Sequence, residues 1–169
     1  MKDFLEIERR YLIRYPGLNY LNTKASSTHI VQTYLLPQAE WDTRRIRKRG
    51  AEGKFVYTYT RKKRISALTR LEDEREIGEE EYLKLLSEKD TGRNSIDKIR
   101  YCLEHEGKIF EIDVFSFWND RAIMEIELDS ETEEFELPPQ IEIIKEISTD
   151  FRYTNASLAK KIPYEIIEE

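Results

Sequence analysis

Apolar and polar positions alternate along most of this chain, and the alternation repeatedly puts charge on one side of a segment. Over 4–13, Leu5, Ile7 and Tyr11 fall on one face and Glu6, Glu8 and Arg10 on the other, the period of two that marks a strand. Strands are predicted in the same way over 29–36 (Ile30, Gln32, Tyr34), 44–49 (Arg45, Arg47, Arg49), 55–64 (Thr58, Thr60, Lys62) and 69–77 (Arg70, Glu72, Glu74, Glu76). After a break they resume over 95–104 (Lys98, Arg100), 108–117 (Glu111, Asp113, Phe115), 122–128 (Glu125, Glu127) and 141–147. The break is helical: Glu79, Glu80 and Glu81 favour a helix N-terminus, and Tyr82, Leu83, Leu85 and Leu86 supply an apolar side, so 79–89 reads as a short amphipathic helix. Asn155 is expected to cap a second helix over 156–161. Hairpin turns are predicted at Gly50–Gly53 and at Glu106-Gly107.

Composition narrows the class. With 39% apolar residues and 11% aromatic ones, 169 residues can bury a core, and no Gly-, Pro- or Ser-rich linker divides the chain, so a single domain over 1–169 is expected. One cysteine cannot form an internal disulfide, and two histidines leave no Cys/His zinc site. The longest stretch free of Asp, Glu, Lys and Arg, 25–39, is too short and too rich in Ser and Thr to span a bilayer, and the first residues lack an apolar leader. A cytoplasmic protein without membrane contact is the expectation. The basic runs at 44–49 and 61–64 invite a nucleic-acid reading, but alternation splits each between two faces and the net charge is −6, so no nucleic-acid partner is expected.

The charged fraction, 37%, changes the picture, because a soluble domain usually carries about 25%. A sheet with one wet, charged face is the plain explanation. Yet the charges are sorted by strand: acids at 6/8, 72/74/76, 111/113 and 125/127, bases at 45/47/49 and 98/100. Solubility asks for mixed charge, not sorted charge. A closed antiparallel barrel would give every strand an inside and an outside. Charges turned inward would be tolerable only in a wet lumen where they pair with each other or with a ligand. Arginine forks and lysines suit phosphate oxygens, and paired carboxylates suit a hard divalent cation. The pattern points to a metal-bound polyphosphate.

Several segments carry a family likeness. Glu6-Ile7-Glu8-Arg9-Arg10 resembles the E-x-E-x-K signature of the CYTH superfamily, the triphosphate tunnel metalloenzymes, with Arg10 where lysine is usual. Ile30-Val31-Gln32-Thr33-Tyr34-Leu35 is similar to that family's I-x-Q-x-Y-L strand, and Arg45-Ile46-Arg47, Thr60-Arg61-Lys62 and Arg70-Leu71-Glu72-Asp73-Glu74 to the strands that follow. Lys98-Ile99-Arg100, Glu111-Ile112-Asp113-Val114-Phe115 and Glu125-Ile126-Glu127 continue in the family's order. The closing run Glu146–Asn155 resembles the E-V-T-x-D-x-R-Y-x-N segment of the short bacterial members, with Ser148 and Phe151 as departures.

The resemblance implies an α+β, mostly antiparallel β fold: a closed eight-stranded tunnel barrel with a charged lumen and a few flanking helices. It implies a triphosphatase that hydrolyses inorganic triphosphate with Mg²⁺ or Mn²⁺. In that reading Glu6, Glu8, Glu125 and Glu127 hold the metal, and Arg10, Arg45, Arg47, Lys62, Lys98 and Arg100 contact phosphate. Tyr34, Lys62 and Glu8 are the catalytic candidates, because some members pair a Tyr and a Lys on these strands. Glu72, Glu74, Glu111 and Asp113 orient the cations. The alternatives are a class IV adenylyl cyclase-like or a nucleoside or thiamine triphosphatase activity, and a non-catalytic polyphosphate-binding module. The partner is a small polyphosphate or organic triphosphate; the oligomeric state stays open, a homodimer included.

Overall fold

The alternating segments pair edge to edge until the sheet meets itself. A computed structural model describes residues 3–168, so Met1, Lys2 and Glu169 lie outside the described residues. Nine strands form: β1 (Asp3–Arg14), β2 (Ala25–Tyr34), β3 (Thr43–Ala51), β4 (Lys54–Arg64), β5 (Thr69–Ile77), β6 (Ile96–His105), β7 (Lys108–Phe115), β8 (Arg121–Leu128) and β9 (Ile143–Glu146). Their order is β5-β4-β3-β2-β6-β7-β8-β1-β9, and a further β5–β1 pairing closes the first eight into a barrel. All pairings are antiparallel. The expected eight-stranded barrel is present, with β9 as an extra strand.

β1 is the seam. One edge runs along β8, with Glu8 opposite Glu127 and Arg10 opposite Glu125. Its other edge is shared: the first half pairs with β5, where Glu6 lies opposite Arg70, and the second half pairs with β9, where Tyr11 lies opposite Glu146.

The turns follow the sequence. Glu106 and Gly107 both have positive φ (47° and 73°), the geometry that suits the right-handed twist of a two-residue hairpin. Gly50 is required by space instead. A Cβ there would lie 1.9 Å from the Lys54 carbonyl oxygen across the β3–β4 hairpin.

The apolar cores sit mostly outside the wall. Tyr11, Ile13, Tyr101, Leu103, Phe110, Ile112, Met124 and Ile126 form an outer cluster with Leu21 of helix α1 (Leu18–Lys24). Ile46, Tyr59 and Ile77 pack outward under Tyr82 of α2 (Glu79–Leu85), which runs on into a 3-10 turn. Inside, the strands change character along their length. Glu6, Glu8 and Arg10 are followed on the same face by Leu12, and Glu125 by Ile123. Asp113 likewise gives way to Phe115, and Lys98 to Ile96. Leu12, Ile96, Phe115 and Ile123 pack with Tyr34, Ile147, Tyr153 and Leu158. The lumen is therefore charged over one part and apolar where the C-terminal segment enters.

One local expectation is corrected, and one element had no prediction. α1 lies where no element is predicted: Leu21 is fully buried, but Asn19, Asn22 and Thr23 are poor helix formers that hide it. In α3 (Asn155–Leu158) the cap is Thr154, whose hydroxyl accepts from the Ser157 N–H, and Asn155 is left free to reach into the barrel.

Candidate functional site

A cavity of about 790 Å³ occupies the charged part of the lumen. Every strand of the barrel contributes to its lining: Glu6, Glu8 and Arg10 from β1, Tyr34 from β2, Arg45, Arg47 and Arg49 from β3, Lys62 and Arg64 from β4. Arg70, Glu72 and Glu74 come from β5, Arg100 from β6, Glu111 from β7, and Glu125 and Glu127 from β8. Strand parity does this: where a strand supplies more than one of these residues they are two positions apart, so one face of each strand delivers its polar side chains to one space. The C-terminal segment adds Phe151, Thr154, Asn155, Ala156 and Ser157.

The basic wall is short of partners. The Arg10 Nη2, Arg45 Nε and Arg47 Nε atoms are buried donors with nothing to donate to. Leaving such a group unpaired costs about 1–3 kcal/mol, more when charged, so the chain is built for an acceptor that binds there. Burial first, then the neighbouring Arg45 and Arg100 guanidinia, pulls Arg47 down to about 9. Gln32, fully buried, ties this wall to Tyr34: its Oε1 accepts from Arg47 at 3.0 Å and its Nε2 donates to the Tyr34 hydroxyl at 3.0 Å.

The acidic wall is crowded. Burial, then the charges of Glu125 and Glu6, pushes the Glu8 carboxyl up to about 8, outweighing Lys62 and Arg10. Burial and a hydrogen bond with Glu6 push Glu72 up to about 7. Glu6 shifts the other way: burial is outweighed by Lys62, whose Nζ lies 2.8 Å from Glu6 and 3.1 Å from Glu72. Glu125 is held down near 2 against burial, chiefly by Arg10 at 3.2 Å. A carboxyl that takes a proton because its neighbours are also carboxyls is a place where a cation would be welcome. Glu6, Glu8, Glu125 and Glu127 therefore fit a hard divalent ion in chemistry. They are not drawn together in this chain: Glu6 leans on Lys62, and Glu8 lies 3.2 Å from Arg70. Among the described residues, the one set of three possible ligand atoms within 4.8 Å is His105, Glu106 and Glu136, away from the cavity on the β6–β7 hairpin side.

Known proteins were compared with this chain on sequence and on structure. No protein-family model matches. An inorganic triphosphatase of Acetivibrio thermocellus is 38% identical over 108 residues, which is 62% of this chain and 65% of that protein. The chain thus matches just under two thirds of that relative's length. The crystal structure of the inorganic triphosphatase NE1496 superposes with a TM-score of 0.59 at 28% identity, covering 94% of this chain and all of that one. The two chains share one tunnel-barrel fold. The PH1012 protein of Pyrococcus horikoshii, at 17% identity and a TM-score of 0.52 over 75% of this chain and 80% of its own, shares that fold.

Most of the expected residues meet in the tunnel. Glu6, Glu8, Arg10, Tyr34, Arg45, Arg47, Lys62, Arg100, Glu125 and Glu127 all line it. Lys98 does not. It is fully buried inside the barrel under the C-terminal segment, its Nζ 2.7 Å from Asp113 and 3.1 Å from the Asn155 Oδ1. Asp113 also takes two hydrogen bonds from Arg100, and these cations hold its carboxyl well below the usual range despite burial. Tyr34 and Lys62 do not bond to each other here, since Lys62 is engaged by Glu6 and Glu72 and Tyr34 by Gln32. Tyr34 stacks instead under the Arg93 guanidinium, 5.5 Å from its ring centre.

Sequence reasoning left Arg93, Arg64, Arg70 and Asn155 out of the site. Arg93 lies in a loop with no period to read, and Asn155 reads as a helix cap. Arg70 could have been found, because it shares strand parity with Glu72 and Glu74.

Proposed function

We propose that this chain is a divalent-metal-dependent triphosphatase whose substrate is inorganic triphosphate. One observation carries the reading: buried arginine donors without partners face crowded carboxylates across a single enclosed cavity. The similarity to inorganic triphosphatases supports it.

In this reading Glu6, Glu8, Glu125 and Glu127 hold Mg²⁺ or Mn²⁺. A bound divalent ion neutralises phosphate charge and favours ionisation of a water. Arg10, Arg45, Arg47 and Arg100 bind the remaining phosphate oxygens, the forks of Arg10, Arg47 and Arg100 being fixed beforehand by Glu125, Gln32 and Asp113. Lys98, covered by Asn155, acts by holding Asp113 and so the orientation of Arg100. Lys62 becomes a phosphate ligand when Glu6 is taken up by the ion. Tyr34, fixed by Gln32, offers its hydroxyl to the substrate from the end of β2. Phosphoryl transfer asks for position and neutralisation more than for covalent chemistry, and this wall supplies both. Among the described residues no helix is long and apolar enough to cross a membrane. We infer a cytoplasmic protein with a small triphosphate as its partner.

Phosphate release should be measured over triphosphate, ATP, GTP and thiamine triphosphate with Mg²⁺ and with Mn²⁺, alongside a cyclic AMP assay. Triphosphate should be cleaved fastest, and chelation should abolish the activity. Cyclic AMP from ATP would select the cyclase reading, and tight triphosphate binding without release would leave a binding module.

A further inference from the structure

Arg70 is a cation without a settled place. Its strand position sets it opposite Glu6 on β1, but its Nη2 reaches along the lumen to the Glu8 Oε1 at 3.2 Å. Both side chains are largely buried, with 17% and 10% of their surfaces exposed, and both line the tunnel. Glu8 has a second, looser cationic neighbour, the Arg10 Nε at 4.0 Å. Arg10 itself is committed elsewhere, to Glu125 at 3.2 Å and to the Tyr153 carbonyl at 2.8 Å. Across the strand pair Arg70 faces Arg64, its register partner on β4, which lines the same cavity, so like charge disfavours both where they stand. Glu8 is the one carboxylate within salt-bridge distance of Arg70 among the described residues.

We propose that Arg70 is an exchanging arginine: it holds the Glu8 carboxyl while the tunnel is empty, and turns to a substrate phosphate when a divalent ion takes Glu8. The inference rests on the metal-and-triphosphate reading above. The exchange follows from charge and reach. An ion bound at Glu8 brings two positive charges to within a few ångströms of Arg70, which then loses its partner and is repelled from where it stood. The buried lumen offers no other free carboxylate at that distance, whereas a bound triphosphate places acceptor oxygens in the same space. A guanidinium reaches such oxygens by turning its fork, without backbone movement. Arg70 therefore opposes the ion when substrate is absent and favours the pair when both are present, which couples the two affinities.

The test is binding, not turnover. Mn²⁺ binding to the full chain is followed by electron paramagnetic resonance, and binding of triphosphate by calorimetry with Ca²⁺, for the wild type, Arg70→Gln and Arg70→Lys. In Arg70→Gln, Mn²⁺ binding without triphosphate should tighten about five-fold, the scale of one lost competing contact. Triphosphate binding in the same variant should weaken about ten-fold or more, because an anchored guanidinium–phosphate contact is gone. The tightening of Mn²⁺ by triphosphate seen in the wild type should shrink accordingly. Arg70→Lys should recover part of both effects, which a merely structural role would not predict. Unchanged Mn²⁺ affinity, or Mn²⁺ and triphosphate weakened together in Arg70→Gln, would overturn the exchange. A wild-type chain that binds neither Mn²⁺ nor triphosphate would instead overturn the functional reading beneath it.

Discussion

Glu8 shows how one residue carries both a cost and a use. Its carboxyl, pushed up to about 8 by burial and by Glu125 and Glu6, holds a proton in the folded chain that an unfolded chain would release near pH 4.5. The folded state then binds more protons than the unfolded one between those values. Its stability falls as pH rises from about 4.5 to about 8. Glu8→Gln removes that loss. In chelator, its melting temperature should exceed the wild type's by on the order of 5 °C at pH 8, and the gap should close near pH 5. Its triphosphate turnover should drop by about 100-fold or more. A wild-type rate at saturating Mg²⁺, or a stability gap that does not depend on pH, would remove Glu8 from the metal-binding set. Residues of this kind were legible because a strand's parity is visible in its letters: Glu6, Glu8, Arg45, Arg47, Glu125 and Glu127 could be placed on one face before any fold was known. What parity could not convey is reach. Lys98 shares a face with Arg100 yet does not line the cavity, because Asp113 and Asn155 take up its ammonium and cover it.

At the scale of elements, the strands were easier to read than the pieces that close the barrel. The span 69–77 is found as expected, whereas α1 was hidden by Asn and Thr, and the role of Asn155 depended on a cap that moved to Thr154. That helix is held to the lumen from several sides. Lys98 donates to the Asn155 side chain, Arg93 to the Ala156 carbonyl at 2.9 Å, and Arg10 to the Tyr153 carbonyl. Asn155→Ala takes away one acceptor from a buried ammonium and should destabilise the chain by about 1–3 kcal/mol in urea. An unchanged midpoint would mean that Lys98 is satisfied by Asp113 alone. The β3–β4 hairpin has a sharper limit. Gly50→Ala would drive a Cβ into the Lys54 carbonyl, which is backbone and cannot turn aside, so a loss of about 2 kcal/mol or more is expected from the same titration.

The whole molecule reverses the usual plan, with apolar clusters largely outside the wall and ions within it. Its resting state is therefore stabilised less than it could be, and an anion in the lumen should return what is missing. Arg47 measures this. Below about pH 9 the folded chain keeps its guanidinium charged beside Arg45 and Arg100, a burden the unfolded chain does not share. Arg47→Ala should raise the melting temperature at pH 7 in an anion-free buffer, and should lose much of the rise that triphosphate gives the wild type. A variant that melts lower, yet responds fully to triphosphate, would show that Arg47 serves the wall and not the ligand.

The divided edge of β1 has a consequence for how the chain assembles. The first strand made is among the last that can settle, because its neighbours lie far along the sequence: Arg70 across from Glu6, Glu127 across from Glu8, Glu146 across from Tyr11. Hairpins such as β3–β4 and β6–β7 need only local encounters, while β1 must wait for distant loops to close, which is slow for entropic reasons. A ribosome would release the N-terminus first and leave it unpaired until nearly the whole chain had followed. The carboxylates of β1 and β8 meet only when that strand docks. The site thus comes into being with the final closure, and a chain caught earlier presents Glu6 and Glu8 without the partners that would give them a purpose.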